Sequence, residues 1–99
     1  MEQITDFEEL SEIAEILKSI AHPIRICIVR GLLREGECNV SKMQSCLNVP
    51  QSTLSQHLAK LRSLGIIRGR RHGTEIYYQV MDETVKTLIK ALFEVNNNQ

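Results

Sequence analysis

Apolar residues return every three or four positions along most of this chain, and that spacing outlines a series of amphipathic helices. Phe7, Leu10, Ile13, Ala14, Leu17 and Ile20, with Glu8, Glu9, Glu12 and Glu15 between them, predict a first helix over Asp6–Ile20. The step Ala21-His22-Pro23 ends it, because proline disfavours helical geometry in the residue before it and fits the first turn of a new helix. A second helix is expected from Pro23 to Leu33. Ile24, Ile26, Cys27, Ile28, Val29, Leu32 and Leu33 make it apolar on nearly all sides, and Arg25 and Arg30 mark its wet edges. Glu35-Gly36-Glu37 closes it, and Cys38-Asn39-Val40 has length only for an edge strand or an extended link. Ser41 is expected to cap a short third helix that turns Val40, Met43 and Leu47 inward and Lys42 and Gln44 outward.

Beyond the turn Asn48-Val49-Pro50, the stretch Pro50–Arg62 places Leu54, Leu58 and Leu61 at i, i+4 and i+7, one buried stripe of a fourth helix. Gln51, Ser52, Thr53, Ser55, Gln56 and Lys60 then face outward. Gly65 stops the helix as a left-handed cap. Next comes a hairpin: Ile66–Arg71, the turn His72-Gly73-Thr74, and Glu75–Val80, rich in β-branched and aromatic residues. Asp82 caps a last helix carrying Val85, Leu88, Ile89, Leu92 and Phe93 on one face, and Asn96–Gln99 is expected to fray. A short helix, a tight turn and a second helix with a polar leading face make a helix-turn-helix, with the hairpin as its wing. The fold class is therefore mainly α with a β-hairpin wing, in the order α-α-α-α-β-β-α, as one domain over residues 1–99.

A helix that enters the major groove needs short donors and acceptors at its leading end to reach base edges, with phosphate contacts around them. Gln51, Ser52, Thr53, Ser55 and Gln56 are the expected contacts to bases or adjacent backbone. Lys60, Arg62, Arg68, Arg70 and Arg71 are expected on phosphate, with Arg70 or Arg71 in the minor groove, where narrow electronegative stretches attract arginine. His57 is expected to touch a phosphate or to pack beneath the helix, His22 to close the turn before Pro23, and His72 to belong to the wing.

Charge at first argues against DNA, since 12 acidic and 12 basic residues cancel in a chain of 99. Its distribution reverses that impression. Residues 1–20 hold Glu2, Asp6, Glu8, Glu9, Glu12 and Glu15 against Lys18, whereas residues 50–74 hold Lys60, Arg62, Arg68, Arg70 and Arg71 and no acid. No apolar run has the length of a membrane span and the acidic start lacks the layout of a signal peptide, so a cytoplasmic location is expected, with the three cysteines as free thiols. No glycine-rich phosphate loop, paired acidic site or metal cluster points to an enzyme. A chain this short gains from burial in an oligomer, and the first and last helices each carry an apolar stripe that a small core cannot cover fully. Pairing of these helices across a two-fold axis is expected.

Together these signals resemble the ArsR family of bacterial winged-helix repressors. The resemblance is carried by Leu17–Arg25 (LKSIAHPIR), Pro50–Leu58 (PQSTLSQHL), Leu61–Ile67 (LRSLGII) and Glu75-Ile76-Tyr77-Tyr78, and extends over residues 14–93. It implies an autoregulatory homodimer joined through helices 6–20 and 83–95. Many members sense metal. Their Cys-x-Cys site at the start of the third helix corresponds here to Cys38-Asn39-Val40-Ser41-Lys42, with a single cysteine. Their site on the last helix uses Asp, His and His or Glu. Here Asp82 is followed by Glu83 and Thr84, with no histidine in 94–99. No metal ligand set and no cofactor are expected. Redox-responsive members pair cysteines of the second and last helices, and this last helix has none.

Cys27, Cys38 and Cys46 are the candidates for any redox response. Their neighbours put Cys27 and Cys46 in the core and leave Cys38 the most exposed, beside Glu35 and Glu37, whose charges raise a thiol pKa. The reading is a sequence-specific, homodimeric DNA-binding repressor on a palindromic operator. The competing readings are a cysteine- or metal-responsive repressor of the same fold and a protein-interaction winged helix that no longer binds DNA.

Overall fold

The computed structural model describes residues 6–97. Asp6 starts the first helix, α1 (Phe7–Ile20): its Oδ1 accepts the Glu9 N–H at 3.1 Å. His22 starts the second, α2 (Pro23–Glu35), with Nδ1 accepting the Ile24 N–H at 3.1 Å while Pro23 fills a first-turn position that needs no donor. α2 ends at Gly36, whose N–H still reaches the Leu32 carbonyl at 2.7 Å and whose φ of +84° turns the following chain out of the helix. The expected edge strand is present as β1 (Cys38–Asn39).

Asn39, not Ser41, caps the third helix, α3 (Val40–Cys46), by accepting the Lys42 N–H at 2.8 Å. Asparagine caps as well as serine does, and the chain leaves β1 already extended, so the helix begins as soon as an acceptor is available. The fourth helix, α4 (Gln51–Ser63), follows Pro50 and ends in a Schellman arrangement. The Ile66 N–H reaches the Leu61 carbonyl and the Gly65 N–H the Arg62 carbonyl, both at 3.0 Å, with Gly65 at φ +75°.

β2 (Ile67–His72) and β3 (Glu75–Val80) are joined by the two-residue turn Gly73-Thr74, with the positive φ on the glycine. The antiparallel sheet has the order β1-β3-β2, with Cys38 opposite Tyr78 and Gly69 opposite Tyr78 on the other side. Asp82 Oδ1 accepts the Val85 N–H at 2.9 Å and starts α5 (Glu83–Asn97). This helix continues through the first two residues of the tail expected to fray, and Asn98 and Gln99 lie outside the described residues.

The core joins Ile28, Val29 and Leu32 of α2, Leu54, Leu58 and Leu61 of α4, Tyr78 and Val80 of β3, and Val85 and Ile89 of α5. α1 joins it only at its C-terminal end, where Ser19 and Ile20 are buried and Ile16 packs against the core. The radius of gyration, 15.1 Å, accordingly exceeds the roughly 13 Å of a compact domain of about 100 residues.

All three cysteine expectations are corrected. Cys38 is 5% exposed, because strand alternation turns it to the inner face of the sheet while its neighbours point out. Burial, more than the nearby Glu35, pushes its thiol pKa up. Cys27 is exposed, since α2 buries Ile28, Val29 and Leu32 and leaves the stripe Cys27, Gly31 and Arg34 less covered. Cys46 is exposed at the last residue of α3, whose inward anchor is Met43.

Candidate nucleic-acid interface

α4 divides by face as its leucine stripe requires. Leu54, Leu58 and Leu61 are buried, and Gln51, Ser52, Ser55, Gln56, Lys60 and Arg62 are exposed. Thr53 and His57, one turn apart on the flank toward α2, are half-buried. Pro50 gives the helix start no side-chain cap, so its first N–H groups have no side-chain acceptor among the described residues.

His57 belongs to an internal network on the flank toward α2, in keeping with the packing alternative of its two expected roles. Its Nδ1 accepts the Arg25 Nε–H at 3.1 Å, and its ring lies 4.3 Å from that of His22. Arg25 also donates from Nη1 to the Ser19 carbonyl at 3.0 Å. One guanidinium thus ties the end of α1 to the middle of α4. Burial first, then the neighbouring His22 and Arg25, push the His57 pKa down, which favours the neutral ring that can accept. Sequence reasoning saw Arg25 only as a wet edge, because its partner lies 32 residues away.

The wing presents Arg68, Arg70, Arg71 and His72 exposed along β2. Arg70 is engaged. Its Nη2 and Nε donate to Glu37 at 2.8 and 3.2 Å, and its guanidinium lies 5.7 Å from the Tyr77 ring centroid. The paired guanidinium holds the Glu37 carboxyl below its usual range. Glu37, between α2 and β1, was no site residue in the sequence. Lys60, Arg62, Arg68 and Arg71 form no ion pair among the described residues. Gly69 is required by its neighbours, since a Cβ there would lie 2.8 Å from Ile76 Cγ2 and 3.3 Å from Tyr78 Cε1. Among the described residues, no group of three or more His, Cys, Asp or Glu side chains is placed to hold a metal ion.

A family model described as a helix-turn-helix domain matches residues 20–70, which span α2 to β2. The transcriptional repressor PagR of Bacillus anthracis is 40% identical over 87 residues, covering 88% of this chain and 87% of that protein. The chain belongs to the ArsR/SmtB family of winged helix-turn-helix transcriptional repressors. The PagR crystal structure superposes with a TM-score of 0.78 over 88% of this chain and 99% of that one. The crystal structure of BigR from Xylella fastidiosa, 34% identical, superposes with a TM-score of 0.78 over 89% and 86% of the two chains. In this ArsR/SmtB chain α3, the turn and α4 are thus the helix-turn-helix, β2 and β3 the wing, and no enzymatic role attaches to it.

Proposed function

We propose that the protein represses transcription as a homodimer on an imperfectly palindromic operator, in the cytoplasm and without a metal cofactor. The observation that carries the DNA-binding part is the outward face of α4, where Gln51, Ser52, Ser55 and Gln56 stand exposed above a wholly buried leucine stripe. Amide and hydroxyl side chains at the leading end of such a helix read base edges, and uncapped N–H groups there suit a phosphate oxygen. Lys60, Arg62, Arg68 and Arg71 supply phosphate contacts, and Arg70 joins them once released from Glu37. His57 positions α4 from beneath.

The dimer is supported by apolar surface that one chain leaves uncovered. Phe7 is 76% and Val95 66% exposed, and Leu10, Ile13, Leu17 and Leu92 are also exposed. Ile26, Leu92, Phe93 and Val95 line an apolar hollow of about 350 Å³ suited to a partner's side chain. Helices 7–20 and 83–97 pairing across a two-fold axis would set two reading helices on successive major grooves, about 34–36 Å apart.

A mobility-shift titration on the upstream region of its own gene tests the reading. Gln56→Ala should relax preference at one base position, and Arg71→Ala should weaken all sequences alike and lower the salt slope by about one. Unaltered affinity and salt slope in both variants would refute the assignment. Leu17→Glu should shift sedimentation toward the monomer and abolish cooperative occupancy of two half-sites.

A further inference from the structure

All three cysteines face one groove. It lies between α2 and α3, has a volume of about 270 Å³, and receives Cys27 from α2, Cys38 from β1 and Cys46 from α3. Ile28, Leu32, Met43 and Leu47 give it apolar walls, and Arg34 and Lys42 stand at its rim. Its volume falls just below the roughly 300–1,000 Å³ of pockets for drug-sized ligands, so it suits a molecule of about one ring.

A second observation points the same way. Gly31, inside α2 and one turn after Cys27, lines this groove, and a Cβ built there meets nothing within 4 Å. Glycine weakens a helix interior, and here neither a positive φ nor a close neighbour demands it. What its missing side chain leaves is open space beside the thiols.

We propose that this groove binds small, apolar, soft electrophiles of the enone class, that Cys46 captures them covalently, and that the adduct weakens operator binding. Cys46 is exposed, and Lys42 precedes it by one helical turn, with Nζ 2.9 Å from Glu35 Oε2. Cys38 is enclosed in the sheet and stays a spectator, its thiol pKa raised by burial.

In the addition, the Cys46 thiol gives its proton to water and its sulfur forms a bond to the β-carbon of the enone. The carbon–carbon π pair moves through the carbonyl to its oxygen, where the Lys42 ammonium stabilises the enolate. The α-carbon then takes a proton from water, so atoms balance with no oxidant. Cys46 ends α3 and lies four residues before Pro50, so a ring wedged beside it bears on the turn that aims α4. The regulatory half rests on the proposed repressor function. The site itself does not.

Cyclohexenone is the probe and cyclohexanone its unreactive isostere. Intact-mass and peptide-mapping kinetics should show one adduct, on Cys46, forming at a rate that saturates with cyclohexenone. It should be slowed by cyclohexanone in the wild-type protein, slowed at least tenfold in Gly31→Leu, and retained in Cys27→Ser. Linear kinetics without protection by cyclohexanone, or equal labelling of Cys27 and Cys46, would overturn the site. Full alkylation should weaken binding to the upstream fragment at least tenfold in wild type and leave Cys46→Ser unaffected. Unchanged binding by alkylated protein would overturn the regulatory half. A protein that forms the Cys46 adduct but never binds the fragment upholds the site and defeats the repressor reading.

Discussion

The contact between Arg25 and His57 makes a quantitative prediction about how firmly the reading helix is held. Arg25→Ala removes two charge-assisted hydrogen bonds, to His57 Nδ1 at 3.1 Å and to the Ser19 carbonyl at 3.0 Å. Hydrogen bonds to a charged group contribute about 1.5–3 kcal/mol each, and solvent around a half-buried arginine lowers that to about 1 kcal/mol per bond. A total loss of about 2 kcal/mol follows, of which about 1 kcal/mol belongs to the histidine. The double-mutant cycle of Arg25→Ala and His57→Ala, read by urea unfolding at fixed protein concentration, should therefore show a coupling of about 1 kcal/mol above neutral pH.

That coupling has a defined pH dependence. The folded His57 pKa lies below the ordinary value of 6.5, which the unfolded chain keeps, so the unfolded state binds more protons across the interval between them. The stabilisation is complete above 6.5 and is lost as pH falls through the lower folded value, because a protonated Nδ1 cannot accept from Arg25. A coupling within about 0.3 kcal/mol of zero at high pH, or one that grows on acidification, would refute the reasoning.

Two glycines should respond with opposite signs to the same added methyl group. Gly31→Ala, with open space beside it in α2, should raise stability by about 0.5–1 kcal/mol. Gly69→Ala, whose Cβ would lie 2.8 Å from Ile76 Cγ2, should lower it by about 1–3 kcal/mol, as a thermal melt would show. Glu37→Gln removes the charge that engages Arg70, so non-specific DNA affinity should rise, with a salt slope steeper by up to about one. An unchanged slope in a salt titration would show that Arg70 stays away from phosphate in either case.

What the sequence revealed followed local rules. The leucine stripe of α4, the Asp82 cap, Gly65 and the wing turn are all set by residues within one or two helical turns of each other, and periodicity and capping chemistry suffice to find them. What local rules leave out are the contacts that a distant partner decides. His57 meets Arg25 of α2 and His22 at its cap, and Arg70 is held by Glu37, which is 33 residues earlier. The cysteines were misplaced for a related reason. Apolar neighbours suggested burial for Cys27 and Cys46, but a groove opens beside them, and pairing with Tyr78 buries Cys38 despite its acidic flanks. Asn39 was passed over as a cap because the start of α3 depends on where β1 ends.

Arg25 has a consequence for evolution as well as for stability. Its two bonds reach the last turn of the helix proposed to meet the second subunit and the middle of the helix proposed to meet the bases. In such a dimer the angle between subunits and the tilt of each reading helix share a single strut. A lineage that altered its subunit contacts would then disturb its preferred half-site spacing with them, and operator and dimer interface would have to change together.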